Sequence, residues 1–206
     1  MASETILKRE FYLQPVQQAA RALLGQRLVR LVDGQRVSGI ILETEAYDGE
    51  SDQACHARSG KTARNQMMYA EGGHAYVYFT YGMHWMLNCV CAPADYPAAV
   101  LIRAILPLEN LDFIRQRRAG IPEKSWCDGP AKLTKALSIE RDQNGADLCS
   151  KQDDLFIESG ENGLEIPDEW VQRTPRIGIQ YAGEPWVSKP WRFVVSAEAV
   201  RASLNI

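Results

Sequence analysis

The sequence predicts an α+β fold, with helices packed around a largely antiparallel sheet, and three observations predict it. The extended segments arrive as hairpins, with very short turns between them. The helical segments follow no regular strand–helix alternation of the kind that builds a parallel sheet. Finally, 206 residues, 46% of them apolar, supply one sizeable core and would be cramped as two domains, so residues 1–206 are expected to form a single domain.

Taken in order, Pro15 to Leu24 is a short helix. Proline suits a first helical position, Ala and Leu fill the middle, and Gly25 ends it in a left-handed turn. Arg27–Val32 and Arg36–Tyr47 are rich in β-branched and aliphatic residues and flank Asp33-Gly34, a strong hairpin signal. A polar loop runs from Asp48 to Asn65. A second strand pair, Ala75–Thr80 and Met83–Val90, folds about Tyr81-Gly82, and Ala98–Ile105 is a buried strand interrupted by one charge, Arg103. Leu111–Arg118 is helical and stops near Gly120, and Pro130 opens a helix through Leu137. Residues 139–172 are acidic and loop-rich, and are expected to be exposed. Arg176–Tyr181 and Trp191–Val195 are expected as late strands.

Composition narrows the function classes. Charged residues at 24% are average for a soluble protein and give no sign of a disordered, collagenous or coiled-coil chain. No apolar run approaches the roughly 20 residues that span a bilayer, so no membrane is expected as a partner. Met1 to Ile6 has no basic region followed by an apolar one. No secretory signal is therefore expected, and the chain is assigned to the cell interior, in cytoplasm or nucleoid. The five cysteines, Cys55, Cys89, Cys91, Cys127 and Cys149, are odd in number and contain no Cys-x-x-Cys pair, which argues against a disulfide framework and a zinc knuckle. No metal is expected. Cys89 and Cys91 are read as small apolar side chains of a core strand. The net charge of −3 is unevenly spread: residues 54–135 carry 10 basic and 6 acidic side chains, and residues 136–206 carry 7 basic and 12 acidic. The middle third is thus able to offer a basic surface on an acidic protein.

Several residues stand out as carriers of chemistry. On the strand Arg36–Tyr47, alternate residues share a face, so Ile41, Glu43, Glu45 and Tyr47 point one way and Ile40, Leu42 and Thr44 the other. A carboxylate on an apolar strand acquires a raised pKa or a cationic partner, and either state suits a general base, as Glu45; the alternative is a salt bridge at a sheet edge. Arg103, within an apolar strand, needs an acidic partner, for which Glu43 or Glu45 is the natural candidate. Between Tyr69 and Trp85 lie 6 of the 18 aromatic residues. Tyr76 and Tyr78 share a face and are able to line one wall, where base stacking contributes roughly 1–3 kcal/mol, although a core strand also favours these residues. Tyr81, beside Gly82, is placed at a turn where a large ring is exposed, which suits a wedge or an interface anchor. Arg58, Lys61 and Arg64 in the preceding loop suit a nucleic-acid surface or simply a solvated loop. Gly129-Pro130-Ala131-Lys132 is a phosphate candidate at a helix start.

In order along the chain, Glu43-Thr44-Glu45-Ala46-Tyr47, His56-Ala57-Arg58, Arg64-Asn65, Tyr76-Val77-Tyr78, Tyr81-Gly82-Met83, Asn88, Leu101-Ile102-Arg103-Ala104, Gly129-Pro130-Ala131-Lys132-Leu133, Arg176-Ile177-Gly178-Ile179 and Ala182-Gly183-Glu184 form a set. The set resembles the alkyladenine (3-methyladenine) DNA glycosylases of the Aag type, over roughly residues 10–195. The resemblance implies a curved sheet with a protruding hairpin and a monofunctional base-excision enzyme. Such an enzyme flips alkylated or deaminated purines (3-methyladenine, 7-methylguanine, hypoxanthine, ethenoadenine) out of duplex DNA and leaves an abasic site without any cofactor, as a monomer. It implies that Glu45 activates the water, with Arg103 and the carbonyl near Ile177 helping to hold it. Tyr47, His56 and Tyr78 would enclose the base, with the His56 backbone reading the purine edge and Asn88 crowding a guanine 2-amino group. Tyr81, with Met83 beside it, would enter the duplex, and Arg58, Lys61, Arg64 and Lys132 would contact the backbone. The chain departs from the family form in a loop between His56 and Arg64 about one residue shorter, in Ala63 replacing a proline, and in His84 and Trp85 beside the wedge. Two rival readings remain: a nucleoside hydrolase using Glu43 and Glu45, and a damage-binding protein without catalysis.

Overall fold

The two hairpins anticipated from the sequence form as expected. Strand β1 (Arg27–Val32) turns through Asp33 and Gly34, both at positive φ, into β2 (Gln35–Asp48). Strand β3 (Ala75–Thr80) pairs with β4 (His84–Cys91), and β4 with β5 (Ala98–Glu109). The structure, a computed structural model, describes residues 5–160 and 164–206; residues 1–4, which begin the stretch read for a signal, and 161–163 of the acidic stretch lie outside the described residues.

The long strand β2 organises the sheet. Along one edge it pairs with β5; the other edge is shared by β1, opposite its first half, and by β8 (Arg192–Val194), opposite Glu43 to Glu45. Strand β6 (Leu155–Glu158) extends the sheet beyond β1, and β7 (Gln172–Thr174) flanks β8. The main order is β3-β4-β5-β2-β1-β6, antiparallel throughout. The helices are α1 (Arg9–Tyr12), α2 (Val16–Ala22), α3 (Leu111–Arg117), α4 (Pro130–Ala136) and α5 (Ala197–Leu204), the last capped by Ser196 Oγ accepting the Ala199 N–H at 3.0 Å. No helix among the described residues is long and apolar enough to cross a membrane.

Period-two alternation divides the sheet into two chemical faces. Ala75 and Val77, Leu87 and Cys89, and Val100 and Ile102 enter the main core with α2 and α4. Their neighbours Tyr76, Val90 and Ala99 form a smaller apolar cluster with Cys55, Ala57, Met68 and Tyr69, against which Tyr47 and Tyr78 pack. This second face carries the site. The ladder between β2 and β5 passes over Leu42 on one strand and Arg103 on the other. Bulges of this kind re-aim side chains. The first breaks the alternation expected from Ile41 to Glu43; from Glu43 through Tyr47 it holds.

Three expectations need correction. Residues 176–181 are not a strand: Gly178 adopts φ 77°, Gln180–Ala182 is a 3-10 turn, and the Ile177 N–H is spent on a side chain rather than on a neighbouring strand. The stretch 139–172 is not simply an exposed loop, because Ile139, Leu148, Leu155, Phe156 and Ile157 are buried and β6 lies within it. Its acidic residues mask an apolar set that completes the sheet edge. The short α1 and the C-terminal α5 were not anticipated, and Pro15 caps α2 rather than opening it.

Candidate active site

The Glu45 side chain is fully buried, at 0% exposure, yet both its oxygens are engaged. Oε1 accepts the Ile177 N–H at 2.7 Å; Oε2 accepts the Tyr47 hydroxyl at 2.9 Å and Arg103 Nη1 at 3.2 Å. Arg103 Nε donates to Glu43 Oε1 at 2.6 Å, which also accepts Arg192 Nη1 at 2.9 Å. Alternating charges from β8, β2 and β5 thus satisfy one another, so Arg103 has both of the partners considered for it. Burial raises the Glu45 pKa above the ordinary carboxylate value, and Arg103, the Ile177 amide and the Tyr47 hydroxyl offset only part of that rise. For Arg103, burial acts to lower the pKa but the Glu45 and Glu43 charges outweigh it.

In front of this ion pair lies a cavity of about 330 Å³, lined by Tyr47, His56, Tyr76, Tyr78, Asn88, Arg103, Ile177 and Tyr181 among others. The Glu45 carboxylate does not itself line the cavity, but all three of its partners do, and Oε1, with one donor, retains an acceptor lone pair. The His56 ring meets Tyr78 edge-on with centroids 4.5 Å apart, and its Nδ1 is 3.0 Å from the Tyr76 hydroxyl. Burial, followed by the charges of Arg64 and Arg58, lowers the His56 pKa to about 4, which keeps the imidazole neutral. Asn88, nearly buried, donates from Nδ2 to the Tyr76 carbonyl at 3.0 Å, which leaves Oδ1 as its spare acceptor.

The basic loop rests on aromatic rings. Arg58 lies over Tyr181 and Lys61 over Tyr69, each 5.1 Å from the ring centre, and Arg64 lies over Tyr78 at 5.7 Å while donating to the Phe79 carbonyl. Lys132, on α4, is ion-paired with Asp128 at 2.7 Å on the surface, so a phosphate there must compete with a carboxylate. At the rim, Tyr81 is 83% exposed and Met83 67% exposed. Tyr81 holds φ at 52° and Gly82 at 66°, closing a tight turn in which the Met83 N–H meets the Thr80 carbonyl at 3.2 Å. A left-handed conformation is costly for a bulky residue.

A family model described as methylpurine-DNA glycosylase matches residues 10–199. The chain belongs to the methylpurine-DNA glycosylase family. Three relatives, each provisionally named a 3-methyladenine DNA glycosylase, illustrate the similarity. The protein from Methanocella arvoryzae is 46% identical over 91% of both chains. That from Carboxydothermus hydrogenoformans is 44% identical over 91% of this chain and 94% of its own, and that from Chlorobaculum parvum 42% over 93% and 88%. The family resemblance drawn from the sequence therefore holds, and the activity is that of a DNA repair glycosylase, a hydrolase acting on N-glycosidic bonds in DNA.

Within this family frame, Arg103, Tyr47, His56, Tyr78, Asn88 and Ile177 line one cavity, with Tyr81 on its rim, while Glu45 is outside the lining and is joined to it through Tyr47, Arg103 and Ile177. Arg58, Lys61, Arg64, Met83 and Lys132 also lie outside the lining. Sequence reasoning placed Asn65 in the family set but gave it no role; its Nδ2 donates to the carbonyls of His56 and Gly60, both at 2.9 Å, and its Oδ1 accepts the Thr62 N–H at 2.6 Å. It missed Tyr181, whose hydroxyl donates to the Ala54 carbonyl at 3.0 Å, and it gave Arg176, although placed in that set, no pairing with Asp52. An asparagine in a basic loop was the one local signal for the first; the others depend on which loops meet.

Proposed function

We propose that the protein is a monofunctional glycosylase that rotates an alkylated or deaminated purine nucleotide out of duplex DNA into the aromatic cavity and hydrolyses its bond to the sugar. One observation carries this reading: a buried carboxylate with a spare lone pair, braced by Arg103, stands behind an aromatic cavity whose rim bears the exposed Tyr81.

The steps follow from the chemistry of those groups. A stacked nucleotide hides its glycosidic bond, so the base must leave the helix, at a cost of a few kcal/mol that is smallest for a damaged base. Tyr81 fills the gap. Tyr47 and the His56–Tyr78 pair hold the purine, and the neutral imidazole adds no charge against a cationic base. The His56 N–H, which meets no acceptor among the described residues, is free to read the purine edge. As the bond between C1′ and the purine nitrogen breaks, its electron pair leaves with the base and the sugar becomes cationic, a charge that Glu45 stabilises. Water adds to C1′, and its proton passes to Glu45 and then to solvent. A 3- or 7-methylated purine departs neutral; hypoxanthine or ethenoadenine needs a proton as it leaves. Arg103, balanced by two carboxylates, keeps Glu45 ionised and oriented.

The test is incubation with a duplex carrying a single hypoxanthine or 7-methylguanine, then heating in alkali. Strand breaks at the lesion, appearing only after alkali, are expected. Intact strands with a gel shift would mean binding without catalysis, and activity confined to free nucleosides would mean a small-molecule hydrolase.

A further inference from the structure

Two irregular segments, residues 49–58 and 175–181, wall the cavity, and a buried ion pair bolts them together. Arg176 Nη1 and Nη2 donate to the two carboxylate oxygens of Asp52 at 2.5 and 2.9 Å, and Nη1 also reaches the Ala46 carbonyl at 2.8 Å. Both side chains are wholly buried, at 0% exposure. Each end of the pair continues into the site. Asp52 accepts the N–H groups of Asp48 at 3.2 Å and Ala54 at 3.0 Å, setting the turn that leads to His56. The guanidinium carbon lies over the rings of Tyr47 and Trp191, 4.8 and 5.0 Å from their centres. Arg176 contacts the Tyr47 ring without lining the cavity itself. The very next N–H, that of Ile177, is the one that grips Glu45 at 2.7 Å.

A buried ion pair is a weak way to gain stability, because well-packed apolar side chains of similar volume often serve as well or better. What the two-pronged fork adds is fixed geometry. We propose that Arg176, braced by Asp52, is a positioning residue for base excision, aiming the Ile177 amide at Glu45 and backing the ring of Tyr47 without touching the substrate. The inference rests on the reading of the site as a purine-excision pocket.

Its consequence is read at Glu45. That carboxylate is faced by Arg103 from β5, by Tyr47 and Glu43 from its own strand, by Tyr78 from β3 and by the Ile177 amide, with Arg192 of β8 acting through Glu43. Loosening Arg176 leaves the charged partners in place and weakens two donations, from the Ile177 amide and from the Tyr47 hydroxyl whose ring it backs. Less donation to the ionised form means protonation at a higher pH, so the acid limb of the rate profile moves up.

The experiment is the pH dependence of single-turnover excision from a 7-methylguanine duplex, whose base needs no proton to leave. Wild type is compared with Arg176→Lys, which keeps the charge without the flat fork. It is also compared with Arg176→Gln combined with Asp52→Asn, which leaves no buried charge unpaired and carries the test if the lysine variant does not fold. The acid limb should rise by about one pH unit, with roughly tenfold slower excision on the acid side and DNA affinity changed less than about threefold. Folded variants with a wild-type limb and rate would overturn the proposal and leave Arg176 a purely structural residue. A wild type that excises nothing would instead refute the excision reading itself.

Discussion

At Glu45 two physical demands meet. Burial away from water raises its pKa and makes it a stronger base, while Arg103, the Ile177 N–H and the Tyr47 hydroxyl favour the ionised form that the proposed reaction needs. The net shift is upward. On the proposed mechanism activity requires the carboxylate, so it should fall as pH drops through a midpoint above the ordinary carboxylate value of 4.5, and a profile of kcat/KM against pH on a cationic lesion checks this. His56 acts in the opposite direction. Its folded pKa near 4 lies below its ordinary 6.5, so below about 6.5 the unfolded chain binds a proton that the folded one does not. Stability is therefore fully present above that value and is lost as pH falls toward 4; His56→Gln should flatten the slope in that window when unfolding is followed by urea titration. Glu45 and Arg103 were legible in the sequence because a charge within an apolar strand demands a partner. Arg176 was not, because Pro175-Arg176-Ile177 reads as strand until the loop carrying Asp52 is seen against it.

Among the elements, the β3–β4 hairpin carries the clearest trade between stability and use. Tyr81 holds a left-handed backbone with its ring in solvent, and nothing in that arrangement helps folding. Tyr81→Gly should leave the melting temperature unchanged or raise it, relieving strain of about 1 kcal/mol. It should nevertheless slow excision from duplex DNA by tenfold or more, and from single strands far less, since no stacked gap then needs filling. Equal losses on both substrates would remove the wedge role. The strands of this sheet were readable because turn residues bound them and alternation sorts their faces. β6 was hidden because its apolar residues sit in an acidic stretch, and the 176–181 segment was misread because Gly178 and a side-chain acceptor override the strand propensity of Ile177 and Ile179.

Over the whole molecule, an acidic chain sets three of its basic residues against the aromatic rings in and behind the cavity wall. Arg58 and Arg64 are held against rings that line it, and Lys61 lies on Tyr69 in the cluster behind it. Replacing all three with glutamine should weaken binding to any duplex and reduce the slope of log affinity against log salt by about one for each cation that meets a phosphate, measured by fluorescence anisotropy. An unchanged slope would mean that this loop does not track the backbone. The sheet joins these parts: β2 supplies the carboxylate, β5 its guanidinium, β3 and β4 the aromatic wall and wedge, and the chain's late loop the amide that fixes the base. The most direct measurement of that assembly is single-turnover excision of 7-methylguanine by Glu45→Gln at saturating enzyme. The arrangement predicts a rate at least about 100-fold below wild type with DNA affinity nearly intact; a folded, DNA-bound variant that excises at close to the wild-type rate would contradict it.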